Sequence, residues 1–218
     1  MPVPALPDAA SAILLGALLG LRHATDADHV VAVTTMVARE GTLARAARVG
    51  ALWGLGHTVA LLTVGSAIVA FRLVIPPRVG LGLEFGVALM LILLGYANLR
   101  RASSDAPLRP TAQPLLVGLV HGLAGSAAVA LLVLATIRGT WPALVYLVVF
   151  GLGTVAGMVA VTVLLAAPAL RAGARVAHLQ RGIRLAAGTL SVVFGLLLAR
   201  ELIVDGGLFS ATPTWRPH

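Results

Sequence analysis

Six apolar stretches, each long enough to cross the core of a bilayer, leave this chain little choice but a bundle of membrane helices. They run over roughly 9–38, 46–72, 80–99, 114–137, 142–168 and 182–204, and about 20 apolar residues suffice for one helical crossing. Arg, Pro or Gly separates them, as at Arg39-Glu40-Gly41, Pro76-Pro77-Arg78 and Arg138-Gly139-Thr140-Trp141-Pro142. Only 11% of the residues are charged, well below the ~25% of a soluble domain. The reading is an all-α integral membrane protein whose single membrane domain covers residues 1–218. No basic residue precedes the first apolar run in Met1 to Asp8, so a cleaved leader is not expected.

The residues that are missing exclude several chemistries. There is no cysteine, hence no disulfide, thiolate metal site or iron–sulfur cluster. There is no lysine either, and all sixteen cationic side chains are Arg, so ATP hydrolysis on a Walker loop is out of reach. The net charge of +8 sits in short loops between apolar stretches. That is the pattern of membrane orientation and not of nucleic-acid binding. Arg39, Arg45, Arg48, Arg100, Arg101, Arg109, Arg171, Arg175, Arg181 and Arg184 follow the odd-numbered stretches, against Arg72, Arg78, Arg138, Arg200 and Arg216 on the other side. The bias predicts a multi-pass protein of the cytoplasmic membrane with both termini outside.

The two halves of the chain resemble each other. Gly20-Leu21-Arg22-His23 matches Gly118-Leu119-Val120-His121, Gly54-Leu55-Gly56-His57 matches Gly151-Leu152-Gly153-Thr154, and Gly95 to Arg100 matches Gly195 to Arg200. Three matches in order, at nearly one spacing, predict a repeat: about 9–100 and about 114–204. Three helices per copy make the second copy enter from the opposite face, the 3+3 inverted-topology plan of many secondary transporters.

Ionisable side chains are costly at membrane depth and usually mark an ion path or proton relay. The first apolar stretch carries His23-Ala24-Thr25-Asp26-Ala27-Asp28-His29, the second His57 and the fourth His121. On a straight helix, turning about 100° per residue, His23, Asp26 and His29 share one arc while Asp28 points away from it. Either Asp28 meets a different neighbour or the helix unwinds at the motif, where Thr25 would bond the freed backbone. Imidazole nitrogen with carboxylate oxygen is the ligand set of a borderline divalent transition metal, so His23, Asp26, Asp28, His29, His57 and His121 are the candidate metal residues. Either aspartate can instead serve as a partner for a histidine or for Arg22. Glu84 reads as an interfacial charge and Met158 as a packing residue. The small-xxx-small glycine pairs, Gly16/Gly20, Gly50/Gly54, Gly118/Gly122 and Gly153/Gly157, read as close helix contacts.

These motifs resemble those of the nickel/cobalt transporter family. His23-x4-Asp28-His29 is similar to its signature, and Leu55-Gly56-His57-Thr58 and His121-Gly122-Leu123-Ala124-Gly125-Ser126 look like segments of its short relatives, the urease-accessory nickel permeases. Phe150-Gly151-Leu152-Gly153-Thr154 is similar to a later glycine-rich motif of the family. The resemblance implies that His23, Asp28 and His29 are essential for metal transport. It departs from the long members in having six spans against their eight, and in lacking their acidic Asp-Thr-Ala-Thr-Glu type of motif.

The expectation is a secondary transporter of Ni²⁺, with Co²⁺ as a second substrate, needing no resident cofactor and linked to nickel-enzyme maturation. Import on the membrane potential and export by proton exchange both remain open, as does a non-transporting role in metal delivery. An intramembrane metalloenzyme is disfavoured, because only one close histidine pair occurs and no His-Glu-x-x-His or Gly-x-Ser-x-Gly pattern is present. Oligomeric state is not legible.

Overall fold

A computed structural model describes residues 9–38, 40–100, 112–124, 137, 139–171 and 177–215 of the chain. Seven helices occupy the described residues: α1 (Ala9–His23), α2 (Ala27–Val37), α3 (Leu43–Phe71), α4 (Pro77–Arg100), α5 (Ala112–Leu123), α6 (Thr140–Arg171) and α7 (Ala177–Val204). Four of them, α3, α4, α6 and α7, are long and apolar enough to cross a membrane. Their outward faces carry exposed leucines such as Leu93, Leu152, Leu164 and Leu197. Such an apolar surface suits lipid and would be a liability in water.

The helix ends follow local chemistry. Thr42 caps α3 by accepting a hydrogen bond from the Arg45 amide at 3.2 Å, and Arg72 closes it in the left-handed conformation at φ 51°. Pro77 opens α4, where a missing amide hydrogen costs nothing.

The first apolar stretch, expected over 9–38, is not one helix. It divides into α1 and α2, of 15 and 11 residues. At about 1.5 Å per residue neither alone spans a ~30 Å core. In the fourth stretch, α5 ends at Leu123, and residues 125–136 lie outside the described residues.

Packing is by pairs. α1 and α3 both lie along α6, α5 lies along α3, and α4 lies along α7. Glycine sets the closeness of these crossings, because a Cβ at several of them would strike backbone. On Gly20 it would meet Phe150 and Thr154 of α6; on Gly118 it would meet Trp53 and His57 of α3. On Gly95 it would meet Gly188 and Val192 of α7, and on Gly195 Ala88 and Ile92 of α4. Backbones this near each other are the membrane form of tight helix packing. Between α4 and α7 the Ser191 hydroxyl donates to the Leu91 carbonyl at 2.8 Å, and the Asn98 amide to the Arg184 carbonyl at 3.1 Å. The main core cluster, which includes Trp53, Val33, Leu91 and Met158, lies where α2, α3, α4 and α6 converge. Met158 is fully buried in it, a packing residue as the sequence suggests.

Candidate metal centre

The site starts from the interruption between α1 and α2. After His23 the amides of Thr25 and Asp26 bond the carbonyls of Arg22 and His23, three residues back, so the helix tightens and stops. The Thr25 hydroxyl donates to the Arg22 carbonyl at 2.6 Å, which satisfies an acceptor freed by the break. Asp26 then stands at the N-cap of α2 in extended conformation, but its side chain makes no capping bond. It turns back and bonds His23 Nδ1 at 2.8 Å.

That bond leaves His23 Nε2 facing into the bundle. It lies 3.1 Å from His57 Nε2 of α3, and His23, His29 and His57 each offer one nitrogen within 4.8 Å of the other two. All three rings are buried. His29 Nδ1 is engaged by Asp28 Oδ1 at 2.9 Å, so Nε2 is the nitrogen it has left to offer. His29 Nε2 is itself buried and makes no hydrogen bond among the described residues. A buried polar atom without a partner costs about 1–3 kcal/mol, and three imidazole nitrogens converging at one point are a ready place for a cation that takes nitrogen ligands.

Asp28 resolves the angular conflict on a straight helix. It belongs to the first turn of α2, beyond the break, and accepts from three donors. Oδ1 takes the His29 amide at 2.8 Å as well as His29 Nδ1, and Oδ2 takes His121 Nε2 of α5 at 2.8 Å. The carboxylate sits at a helix N-terminus, where the dipole favours negative charge. The His29 and His121 rings stack with centroids 4.1 Å apart. Asp28, His29 and His121 therefore form a second group of close donor atoms sharing His29 with the first.

Five of the six candidates thus come together in these two groups, and Asp26 does not. Its side chain is 42% exposed and its contact is to His23 Nδ1, the nitrogen on the far side of the ring. The shared arc of His23, Asp26 and His29 is also not how the two histidines meet, since they lie on different helices. Arg22 is exposed beside the break. Glu84, read from the sequence as an interfacial charge, is buried near the start of α4 and accepts from Trp215 Nε1 at 2.9 Å. It lines a cavity of about 380 Å³ with Glu201 and Asp205.

Two aromatic residues wall the centre: Trp53, which the sequence motifs leave out, and Phe150, which they name only as the start of a glycine-rich motif. Trp53 lies 5.3 Å from His29 and 5.9 Å from His121 between ring centroids, and Phe150 lies 5.6 Å from His23. Spacing held the signal. Trp53 and Phe150 each stand one turn before the polar residue of their glycine motif, His57 and Thr154, and residues four apart share a helix face.

Over 220 residues the chain is 34% identical to the urease accessory protein UreH of Bacillus sp. (strain TB-90), covering 93% of this chain and 96% of that protein. The chain belongs to the UreH family. That is the urease-accessory branch whose motifs the sequence resembles. Coverage of 93% leaves about 15 residues of the chain outside the match. The UreH likeness therefore takes in the break between α1 and α2 and most of α7, whichever end those residues come from. No family model and no solved structure matches the chain.

Proposed function

We propose that this protein is a permease that carries Ni²⁺, with Co²⁺ as a second substrate, inward across the cytoplasmic membrane to supply urease maturation. The observation that carries the reading is the convergence of His23, His29 and His57 nitrogens beside a broken helix. Two nitrogens bound to one transition-metal ion at ~2.0 Å stand about 2.8–3.3 Å apart for angles between 90° and tetrahedral, and His23 Nε2 lies 3.1 Å from His57 Nε2. Nickel accepts imidazole-rich sites, whereas Mg²⁺ and Ca²⁺ take oxygen shells. Membership of the UreH family, whose Bacillus member is a urease accessory protein, supports the link to urease.

In this reading the chain has six spans, arranged as inverted halves over about 9–100 and 114–204. The glycine crossings support it. Gly20 against Phe150 and Thr154 repeats as Gly118 against Trp53 and His57, and Gly95 against Gly188 and Val192 repeats, at a spacing of 100 residues, as Gly195 against Ala88 and Ile92. The histidines lie where the halves meet, the usual place of a transporter's substrate site. Arginine bias sets the odd-numbered loops in the cytoplasm. An inside-negative potential then draws a divalent ion inward by about 4.6 kcal/mol per 100 mV, from about 2.3 per charge, which drives import without ATP.

Uptake of radioactive Ni²⁺ by cells expressing the protein tests the reading. His29→Ala should fall to background while the protein remains in the membrane at wild-type level; wild-type uptake in that variant sinks the proposal. Direction has its own readout. Loss of an importer makes cells more nickel-resistant, and greater sensitivity would reverse the direction.

A further inference from the structure

Asp28 and His121 share a carboxylate–imidazole bond that crosses between helices far apart in the chain, α2 and α5. Taking the three-histidine ion site as read above, we propose that these two residues do not hold the ion. They position the histidine that does. An ionised carboxylate only accepts, so Asp28 Oδ1, at 2.9 Å from His29 Nδ1 and 2.8 Å from the His29 amide, requires the proton on Nδ1. The lone pair of His29 is thereby placed on Nε2, a buried nitrogen without a hydrogen bond among the described residues. Donation from His121 Nε2 to Oδ2 fills the other side of the carboxylate, and the His121 ring, stacked on His29 at 4.1 Å, blocks its rotation.

The geometry argues against direct ligation by either group. Asp28 Oδ1 already accepts two hydrogen bonds and Oδ2 one, at 2.8 or 2.9 Å, so three of the roughly four lone pairs of the carboxylate are spent on orienting His29 and holding His121. His121 belongs only to the group that contains Asp28, and not to the one formed with His23 and His57. A carboxylate that fixes the tautomer and angle of a metal-binding histidine is a recurrent arrangement, and its loss typically lowers affinity about 10–100-fold. His121 reaches across from α5, so a movement of α5 relative to α2 would free the His29 ring and weaken the ion's hold. Positioning is in this way coupled to release.

The test uses purified full-length protein in lipid nanodiscs, with Ni²⁺ alone as probe. Affinity is read by calorimetry and the number of bound imidazoles by X-ray absorption. Wild type is expected to show three imidazoles. His121→Ala should keep three and bind about 10–100-fold more weakly, and His121→Gln, which retains an N–H donor, should recover most of the affinity. His29→Ala should drop the count to two. Wild-type protein that binds no Ni²⁺ overturns the three-histidine site itself and this proposal with it. A wild-type three-imidazole site whose count falls in His121→Ala, or whose affinity is unmoved by that change, overturns the proposal alone.

Discussion

Two helix crossings in this protein are built alike and do different things. Where α1 meets α6, Gly20 presses on Phe150 and Thr154, and Gly153 presses on Ala17. Where α5 meets α3, Gly118 presses on Trp53 and His57, and Gly56 presses on Leu115. In each, an aromatic residue precedes the polar one by a turn, and the polar residue directly follows the glycine. The outcomes diverge with that polar residue. The Thr154 hydroxyl is short enough to donate to the Phe150 carbonyl of its own helix, at 2.9 Å, and so closes on itself. The imidazole of His57 cannot return to its own backbone in this way; it reaches outward and meets His23 at 3.1 Å. Glycine therefore brings the backbones together, and the next side chain decides whether the junction is inert or becomes part of a site.

The comparison breaks most visibly at His57. His57→Val should reduce Ni²⁺ uptake to background with the protein still inserted, because it removes one of three converging nitrogens. Retained uptake would mean that the α5–α3 crossing is as inert as its counterpart. The next effect falls on both crossings together. Gly20→Val and Gly118→Val each force a branched side chain onto backbone, and overpacking of this kind costs about 1–3 kcal/mol or more. Both variants should lose folded, monodisperse protein on size-exclusion chromatography. If only one does, the crossings are not mechanically equivalent. The smallest effect belongs to Thr154→Val, which removes a hydrogen bond worth about 0.5–1.5 kcal/mol and touches no ion. Thermal unfolding in detergent should shift slightly and uptake should match wild type. A loss of uptake on the scale of His57→Val would show that both crossings carry chemistry.

Much of this was legible from residue order because membrane helices obey strong local constraints. Long apolar runs must become helices, since backbone hydrogen bonds have no other partner in hydrocarbon, and α3, α4, α6 and α7 follow their apolar stretches. The clash between Asp28 and the arc of its neighbours predicted an interrupted helix or a different neighbour, and the chain shows both: a break at 24–26 and a bond to His121. Thr25 bonding backbone at that break was equally readable, because it depends on residues three apart.

What residue order could not reach was everything that depends on which helix lies opposite. Periodicity gives the direction of a side chain about its own axis, and that direction loses meaning across a break. Hence residue order leaves Asp26 open between a ligand and a histidine's partner, and the fold sets it against the outer nitrogen of His23. The interfacial reading of Glu84 likewise says nothing of the distant Trp215 that donates to it. By itself the sequence determined the class of protein, the positions of its long helices and the set of candidate metal residues, because hydrophobicity and helical geometry act locally. The tertiary structure alone decided that His23, His29 and His57 face one another while Asp28 joins His29 to His121. Those meetings depend on how closely glycine lets separate helices approach, and on which ring nitrogen each neighbour leaves open.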